Sequence, residues 1–148
     1  MRALVQRVKQ GAVSVDGEKK GSIGRGFVIL IGVSKTDGTE QAEYLARKTA
    51  NLRIFPDEDG KLNLSIKDIC GECLVISQFT LYASTERGNR PGFDQAAGAE
   101  QADILYEKYI ACLKEQGLPV ATGVFQADML VEIHNDGPVT IMLESKDK

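Results

Sequence analysis

The sequence predicts an α+β fold with a mainly antiparallel sheet and two principal helices. Two observations carry this prediction: roughly seven or eight short apolar runs have the composition of strands, and only two segments repeat apolar residues at helical spacing. Long stretches pass from strand to strand without a regular crossover helix, which favours antiparallel pairing. A chain of 148 residues is long enough for a core of its own, so we expect one domain over residues 1–148.

The N-terminal elements are predicted to be a hairpin followed by a buried strand. Residues 1–8 and 12–15 have strand patterning, and Asp16–Gly17 supplies the positive φ angles that a tight turn requires. The run Phe27–Val33 is continuously apolar and rich in β-branched residues. Such a run is typical of a strand that is covered on both faces.

A first helix of about three turns is predicted next, with Thr39 as its N-cap and Glu40 in its first turn. A short strand at Leu52–Phe55 then ends in the turn Pro56–Gly60. The apolar side of the helix contains Ala42, Leu45, Ala46 and Ala50.

The second half of the chain holds the stronger helical pattern. Residues 73–82 are predicted as a strand, followed by the Gly- and Pro-containing segment 83–98. A second helix then carries an apolar stripe at i, i+3, i+4, i+7, i+8 and i+11 and ends before Gly117. Val120–His134 and Val139–Leu143 supply the last strands. The stripe consists of Ala102, Leu105, Tyr106, Tyr109, Ile110 and Leu113.

Composition restricts the chemistry that the chain can perform. His134 is the only histidine, so a Ser-His-Asp triad or a multi-histidine metal site would have to include it. The longest apolar run, Phe27–Ile31, is far shorter than the ~20 residues of a membrane span, and the first residues lack a signal-peptide pattern. We therefore expect a soluble, cytoplasmic protein that does not associate with membranes.

Basic residues are concentrated near the N-terminus of a chain whose net charge is −3. Residues 1–25 form a candidate phosphate-facing surface, although solvated strand faces are the commoner explanation of such a pattern. The basic residues of this segment are Arg2, Arg7, Lys9, Lys19, Lys20 and Arg25.

The three cysteines raise the question of a metal or redox site. Cys70 and Cys73 form a C-x-x-C, and Cys112 and His134 would complete a set of four zinc ligands. Structural zinc sites usually present two close ligand pairs, which Cys112 and His134 do not form. Redox C-x-x-C motifs usually open a helix after a strand, whereas this one precedes a strand-like run. We expect reduced thiols, no metal site and no cofactor.

Two segments place polar residues where a strand should begin or end. Ser77–Leu81 presents Ser, Gln and Thr within four residues, and Asn135–Thr140 contains an X-Pro bond, the kind of peptide bond that most readily adopts cis. By local pattern alone, a strand end and a hairpin turn are the commoner interpretations of these segments.

Taken with further motifs in the same order, these segments resemble the D-aminoacyl-tRNA deacylases, also called D-tyrosyl-tRNA deacylases, over nearly the full chain. The resemblance implies a deacylase-like fold with a barrel-like core in a single deacylase domain. The C-x-x-C lies outside every motif. The motifs are Arg2–Val8, Arg53–Phe55, Gly60–Asn63, Ser77–Leu81, Thr85–Gly88, Arg90–Phe93, Thr122–Met129 and Asn135–Thr140.

The resemblance implies an editing hydrolase that cleaves the ester between a D-amino acid, or glycine, and the 3′-terminal adenosine of tRNA. It also implies a homodimer in which Gly137-Pro138, as a cis peptide, reaches into the partner's pocket and excludes L-amino acids. Such a filter would reject L-amino acids at the α-carbon, where all substrates are alike, so it would work whatever the size of the side chain. By the same resemblance, Arg7 braces the filter, and Phe125 and Met129 contact the terminal adenosine.

The catalytic segment is predicted to be Ser77, Gln78, Phe79 and Thr80, with backbone N–H groups around Phe79 and Thr80 binding the oxyanion. A nucleophilic Thr80 would need an adjacent base, and the motif contains no His, Lys, Asp or Glu. Our preferred hypothesis is that the 2′-hydroxyl of the terminal ribose helps to activate water. A nucleophilic Thr80, a non-catalytic module that binds tRNA ends, and a zinc or redox protein are the alternatives.

Overall fold

A computed structural model describes residues 1–145 of the chain. In this part of the chain, no helix is long and apolar enough to cross a membrane. The helices are α1 (Thr39–Asn51), a short 3-10 helix (Phe79–Tyr82) and α2 (Ala99–Glu115). The strands are β1 (Arg2–Val15), β2 (Glu18–Ile23), β3 (Gly26–Gly32), β4 (Arg53–Pro56), β5 (Leu62–Ser65), β6 (Glu72–Ser77), β7 (Val120–Thr122) and β8 (Leu130–Glu144).

Six of the strands form one strongly curved sheet in the order β2-β1-β3-β6-β7, with β8 paired along β1. β1 pairs antiparallel with β2, β3 and β8, whereas β6 is parallel to both β3 and β7. The two edges approach each other, since a Cβ added to Gly21 of β2 would lie 2.9 Å from the Thr122 carbonyl of β7. The sheet is thus nearly closed. The predicted α+β class, mainly antiparallel pairing, barrel-like core and two principal helices are confirmed.

The main core lies between this sheet and the two helices. Five of the six stripe residues of α2 are buried, as the sequence predicts, and Tyr109 is fully buried with its hydroxyl 2.8 Å from Thr49 Oγ1 of α1. The rings of Phe27 and Phe55 stack with centroids 5.2 Å apart, which joins the β4-β5 hairpin to the sheet. Each large side chain buried here stabilises the fold by about 1.5–3 kcal/mol.

The strand predicted at residues 73–82 ends at Ser77, and its last part forms the 3-10 helix instead. The reason is non-local. The parallel ladder of β3 with β6 ends at the pair Ile31 and Ser77, so β6 has no strand partner beyond that point. The Gln78 N–H still donates to the Ile31 carbonyl at 2.7 Å, and the following residues satisfy their backbone groups within a tight helical turn.

Two smaller predictions also differ from the structure, and one strand is additional to those predicted. The N-cap of α1 is Gly38 rather than Thr39, because the Gln41 side chain accepts the Gly38 N–H at 2.8 Å. The strand β5 follows the Pro56–Gly60 turn and was not predicted. The strands predicted separately at residues 1–8 and 12–15 are one continuous strand, β1, whose register with β8 shifts between Val8 and Gly11.

The segment Asn135–Thr140 is not a hairpin turn, since it lies inside the continuous strand β8. Its pairing with β1 skips from Asn135, opposite Val8, to Thr140, opposite Gln6. Residues 136–139 therefore bulge outward opposite the single residue Arg7. We call residues 136–139 the β8 bulge. A bulge of this kind depends on strand pairing, which a local pattern does not reveal.

Candidate active site

A cavity of about 520 Å³ opens at the end of β6. It is lined by Ser77–Phe79 on one side and by Phe125 and Met129 on the other, together with small residues of α2, Ala99 and Ala102. The structure thus brings together five of the residues predicted for the site, from two segments that lie far apart in sequence. Of the other predicted residues, Thr80, Arg7, Gly137 and Pro138 do not line the cavity.

The 3-10 helix begins at Phe79, which lines this cavity, and leaves backbone donors at its N-terminus that are unpaired within the helix. The first N–H groups of a helix have no partner within the helix, which leaves those of Phe79 and Thr80 available at its N-terminus. Leu81 is the first of its residues to donate back, to the Gln78 carbonyl at 3.2 Å. Two neighbouring backbone donors beside a cavity are a suitable arrangement for binding an oxyanion.

The Thr80 hydroxyl is held by a side-chain amide. Gln78 Nε2 donates to Thr80 Oγ1. An amide N–H cannot accept the proton of the hydroxyl, so this partner does not activate Thr80 as a nucleophile. Within residues 1–145, no titratable side chain is hydrogen-bonded to Thr80.

Arg2 fastens the far end of the 3-10 helix to the sheet. Its Nη1 donates to the Leu81 carbonyl at 2.7 Å, its Nε donates to Glu144 Oε1 at 2.7 Å, and its guanidinium lies 4.5 Å from the centre of the Tyr82 ring. Gly32 lets the same helix approach closely, because a Cβ there would lie 2.9 Å from the Leu81 Cβ. Neither residue was predicted to shape the site, since nothing in the local pattern marks these contacts.

The opposite wall of the cavity, Phe125 and Met129, packs against α2 and against Gly123. The Phe125 ring lies 6.0 Å from the ring of Tyr106, whose hydroxyl donates to the Val75 carbonyl at 2.8 Å. Gly123 leaves room for the thioether of Met129, because a Cβ at position 123 would lie 2.5 Å from the sulfur. Phe125 and Met129 are therefore positioned by packing rather than by the loop alone.

The β8 bulge forms a second, separate group of predicted residues. Its Gly137-Pro138 peptide bond is cis, and both residues are exposed. Arg7, only 8% exposed, donates from Nε to the Asp136 carbonyl at 3.1 Å and from Nη1 to the Ile54 carbonyl at 2.7 Å. The Asn135 side chain closes the bulge by accepting the Val139 N–H at 3.1 Å. The bulge is thus supported on its inner side by Arg7.

Glycine is the only residue that fits at position 137 without backbone strain. Its φ of +123° lies in a region that side chains disfavour, and a Cβ there would lie 2.9 Å from Arg7 Nη2. The contact between Arg7 and the bulge therefore depends on glycine at this position.

The three cysteines do not form a common site. Cys70 is exposed with φ +53°, whereas Cys73 and Cys112 are buried. Burial raises the pKa of the Cys73 thiol to about 12 and also raises the pKa of Cys112. In residues 1–145, no three His, Cys, Asp or Glu side chains are grouped so as to hold a metal ion. These features disfavour the zinc and redox alternatives, because both need accessible thiolates.

Of the six basic residues of the N-terminal segment, Arg7 is buried and Arg2 is half-buried, whereas Lys9, Lys19, Lys20 and Arg25 are exposed. Arg2 and Arg7 hold backbone carbonyls, Arg25 lies 5.3 Å from the centre of the Phe55 ring, and Lys20 pairs with Glu18 at 3.3 Å. The candidate phosphate-facing surface therefore loses Arg7 and part of Arg2 but keeps its other four basic residues. His134 is exposed, with Gln10 Nε2 within 3.3 Å of its ring.

Comparisons with known proteins agree with one another. A family model described as D-Tyr-tRNA(Tyr) deacylase matches residues 4–144. A D-aminoacyl-tRNA deacylase of Clostridium novyi (strain NT) is 56% identical over 146 residues, covering 99% of this chain and 98% of that protein. One from Fervidobacterium nodosum (strain ATCC 35602 / DSM 5306 / Rt17-B1) is 54% identical over 146 residues, with the same coverage of 99% and 98%.

Two solved structures have the same fold. One, titled c-Myc DNA Unwinding Element Binding Protein, is 43% identical with a TM-score of 0.92, and the match covers 99% of this chain and 100% of that one. The other, titled as a probable eukaryotic D-amino acid tRNA deacylase, is 17% identical with a TM-score of 0.82 and coverage of 97% and 98%. At that identity the second structure shows the fold alone.

Proposed function

The chain belongs to the D-Tyr-tRNA(Tyr) deacylase family and is a hydrolase of the aminoacyl-tRNA ester, and from this premise we propose how it selects and cleaves its substrate. The substrates are D-aminoacyl-tRNA and glycyl-tRNA, and L-aminoacyl-tRNA is spared. The observation that carries this proposal is the meeting of Ser77–Phe79 with Phe125 and Met129 in one cavity.

The cavity binds the terminal adenosine and its ester. Its volume of about 520 Å³ suits a small ligand. Phe125 and Met129 offer an aromatic face and a polarizable thioether, both of which pack well against a purine. The ester carbonyl then lies at the 3-10 helix, where the N–H groups of Phe79 and Thr80 stabilise the negative charge that develops on its oxygen.

The nucleophile is water, activated with the help of the 2′-hydroxyl of the terminal ribose. Support comes from the environment of Thr80, whose hydroxyl accepts a hydrogen bond from the side-chain amide of Gln78. The protein then supplies position and oxyanion donors, and the substrate supplies the hydroxyl. A nucleophilic Thr80 is the alternative mechanism.

Chiral selection belongs to the β8 bulge of a second copy of the chain. Gly137 and Pro138 are exposed and do not line the cavity of their own chain, so a filter made by them requires a homodimer. Backbone carbonyls placed beside the substrate's α-carbon reject every L-side chain and leave D-amino acids room on the other side. Glycine has no substituent to reject, which makes glycyl-tRNA a substrate. An enzyme acting on charged tRNA is expected to work in the cytoplasm.

A second candidate function is nucleic-acid binding without catalysis. The observation that favours it is the likeness to the 43% identical structure, which is a c-Myc DNA unwinding element binding protein. Incubation with D-Tyr-tRNA, L-Tyr-tRNA and Gly-tRNA separates the two functions. The proposed enzyme releases D-Tyr and Gly but not L-Tyr, whereas a binder shifts the tRNA in a gel and releases none of them.

Mixed dimers test whether the filter acts between subunits. Gly137→Ala disturbs the bulge but keeps the cavity, and Phe125→Ala with Met129→Ala weakens the cavity but keeps the bulge. The two chains are co-expressed with different tags and purified as mixed dimers. In a mixed dimer, the intact cavity belongs to the Gly137→Ala chain and the intact bulge belongs to its partner. If the filter acts on the partner's cavity, the ratio of L-Tyr to D-Tyr release therefore falls towards the wild-type value. An unchanged ratio relative to the Gly137→Ala homodimer, or failure to form mixed dimers, contradicts the proposal.

A further inference from the structure

Residues 84–93 form an exposed loop beside the cavity, which we call the arginine loop. Ser84 and Gly92 close it with two reciprocal backbone hydrogen bonds, each 2.8 Å long. It begins two residues after the 3-10 helix ends at Tyr82 and leads into Ala97, which lines the cavity. Both ends of the loop are therefore tied to the site described above.

An aromatic contact fixes the loop against the cavity. The ring of Phe93, at the end of the loop, packs edge-on against the ring of Phe79 with centroids 5.0 Å apart. Phe79 itself is 55% exposed although it lines the cavity. The two rings make an open aromatic surface that runs from the cavity towards the loop.

Arg87 and Arg90 stand exposed on the same loop. In the described part of the chain neither guanidinium forms an ion pair or a side-chain hydrogen bond, in contrast to Arg2 and Arg7. Glu86 is the single acidic residue of the loop. A chain with a net charge of −3 thus carries two exposed guanidinium groups on the loop that ends at Phe93, whose half-buried ring packs against the exposed Phe79.

We propose that the arginine loop binds the single-stranded 3′ end of the tRNA, with Arg87 and Arg90 on the phosphates of the nucleotides that precede the terminal adenosine. This inference rests on the proposed function, which places that adenosine in the cavity. Proteins that bind single strands combine aromatic rings for the bases with basic side chains along the backbone. The guanidinium fork matches phosphate oxygens in pairs, and arginine is well suited to this contact.

RNA is favoured here over an acidic protein partner because of the aromatic surface. An acidic peptide would use the two arginines but would gain little from Phe79 and Phe93. A nucleotide strand uses both features, since its bases stack on rings while its phosphates reach the guanidinium groups. Contacts to phosphates do not distinguish one base from another, so we expect the loop to bind the 3′ ends of all tRNA species equally well.

The test compares wild type with the double variant Arg87→Gln and Arg90→Gln on two substrates, D-Tyr-tRNA and D-tyrosyl-adenosine. Arg47→Gln with Lys48→Gln, which removes two exposed charges from α1, is the matched control. The ratio of kcat/KM for the tRNA to kcat/KM for the adenosine ester should fall at least tenfold in the loop variant and stay within twofold in the control. The slope of log(kcat/KM) for tRNA against log salt should become shallower by about 1.4, at about 0.7 for each phosphate contact.

A binding measurement separates this proposal from the proposed function. A fluorescent acceptor-stem RNA hairpin with a single-stranded 3′ end should bind the loop variant at least fivefold more weakly than wild type, and a blunt hairpin should show no such difference. An unchanged substrate ratio, or equal loss on both hairpins, overturns the role of the loop. If wild type hydrolyses neither ester, the proposed function fails, and the hairpins still decide whether the loop binds RNA.

Discussion

Arg7 Nε lies 3.1 Å from the backbone oxygen of Asp136, and the carboxylate of the same aspartate lies 3.7 Å from it. The other end of the guanidinium donates to the Ile54 carbonyl at 2.7 Å. One buried side chain therefore connects the β8 bulge to β4, across two strands that do not pair with each other.

Arg7→Lys should loosen this connection. Lysine keeps the charge but cannot hold the two carbonyls with one rigid fork, so one of them loses its donor. We expect a loss of about 1–3 kcal/mol in the free energy of unfolding. We also expect measurable release of L-Tyr from L-Tyr-tRNA. Urea denaturation and the release assay check these outcomes, with Arg53→Lys at an exposed site as control. Unchanged stability and selectivity would show that the two hydrogen bonds are dispensable.

Gly32→Ala should lower activity more than stability. The added methyl would lie 2.9 Å from the Leu81 Cβ and 3.2 Å from the Gln78 carbonyl, so the 3-10 helix must shift. We expect at least a tenfold loss of kcat, because a small displacement of the proposed oxyanion donors would weaken catalysis strongly. Gly38→Ala is the control, since its nearest neighbour would be 3.5 Å away. Equal kcat in the two variants would show that the helix tolerates the shift.

Thr80→Ala should leave substantial deacylation, within about tenfold of wild type, because the proposed oxyanion donors are backbone groups. A D-Tyr-tRNA that ends in 2′-deoxyadenosine should react at least a hundredfold more slowly with the wild-type enzyme. Single-turnover rates with saturating enzyme measure both effects on the chemical step. The reverse pattern, a dead variant with normal cleavage of the deoxy substrate, would support the nucleophilic Thr80 mechanism instead.

Tyr109→Phe should destabilise the interface between the two helices. Thr49 Oγ1 donates to the Leu45 carbonyl at 2.8 Å, so the Tyr109 hydroxyl is the donor in its own 2.8 Å bond to Thr49. Removing it leaves a buried acceptor without its second partner, and we expect a cost of about 1–2 kcal/mol by thermal or urea unfolding. Tyr44→Phe, at a half-buried position of α1, should cost less than about 0.5 kcal/mol.

Stability should fall as the pH rises above 9. Burial raises the pKa of Cys73 from 9.0 to about 12, so the unfolded chain loses a proton that the folded chain keeps. The contribution is complete below pH 9 and is lost progressively up to about 12. The slope approaches about 1.4 kcal/mol per pH unit. Cys73→Ala should flatten the curve of unfolding free energy against pH between 8 and 10. Cys70→Ala, which leaves Cys73 in place, should keep the wild-type slope.

The predictable parts of the fold were those in which one segment alone carries the pattern. The apolar stripe of α2 and the continuous apolar run of β3 each indicate which of their own residues are buried, because side-chain directions along a helix or strand are fixed. The sequence predicts a strand where the 3-10 helix lies, because β6 ends where its pairing with β3 ends. The residues of β6 themselves do not indicate how far β3 extends. The β8 bulge was mistaken for a hairpin turn for a similar reason, since its neighbour Arg7 belongs to another strand.

For the site, local pattern alone favoured a strand end at Ser77–Leu81 and a turn at Asn135–Thr140. The resemblance to a family selected the residues, and the structure then divided them into a cavity and a bulge. Arg2 and Gly32 escaped prediction because their contribution is a contact with the 3-10 helix, made across the sheet. Such contacts exist only once the strands are paired.

β1 carries both of the arginines that hold the functional elements in place. Arg2 fastens the 3-10 helix and Arg7 fastens the bulge, and one uninterrupted strand separates them by about 17 Å. A change in the twist of β1 would therefore move both attachments together. Under the proposed function, one helix cleaves and the bulge selects, so we expect substitutions within β1 to change the rate of cleavage and the rejection of L-amino acids together.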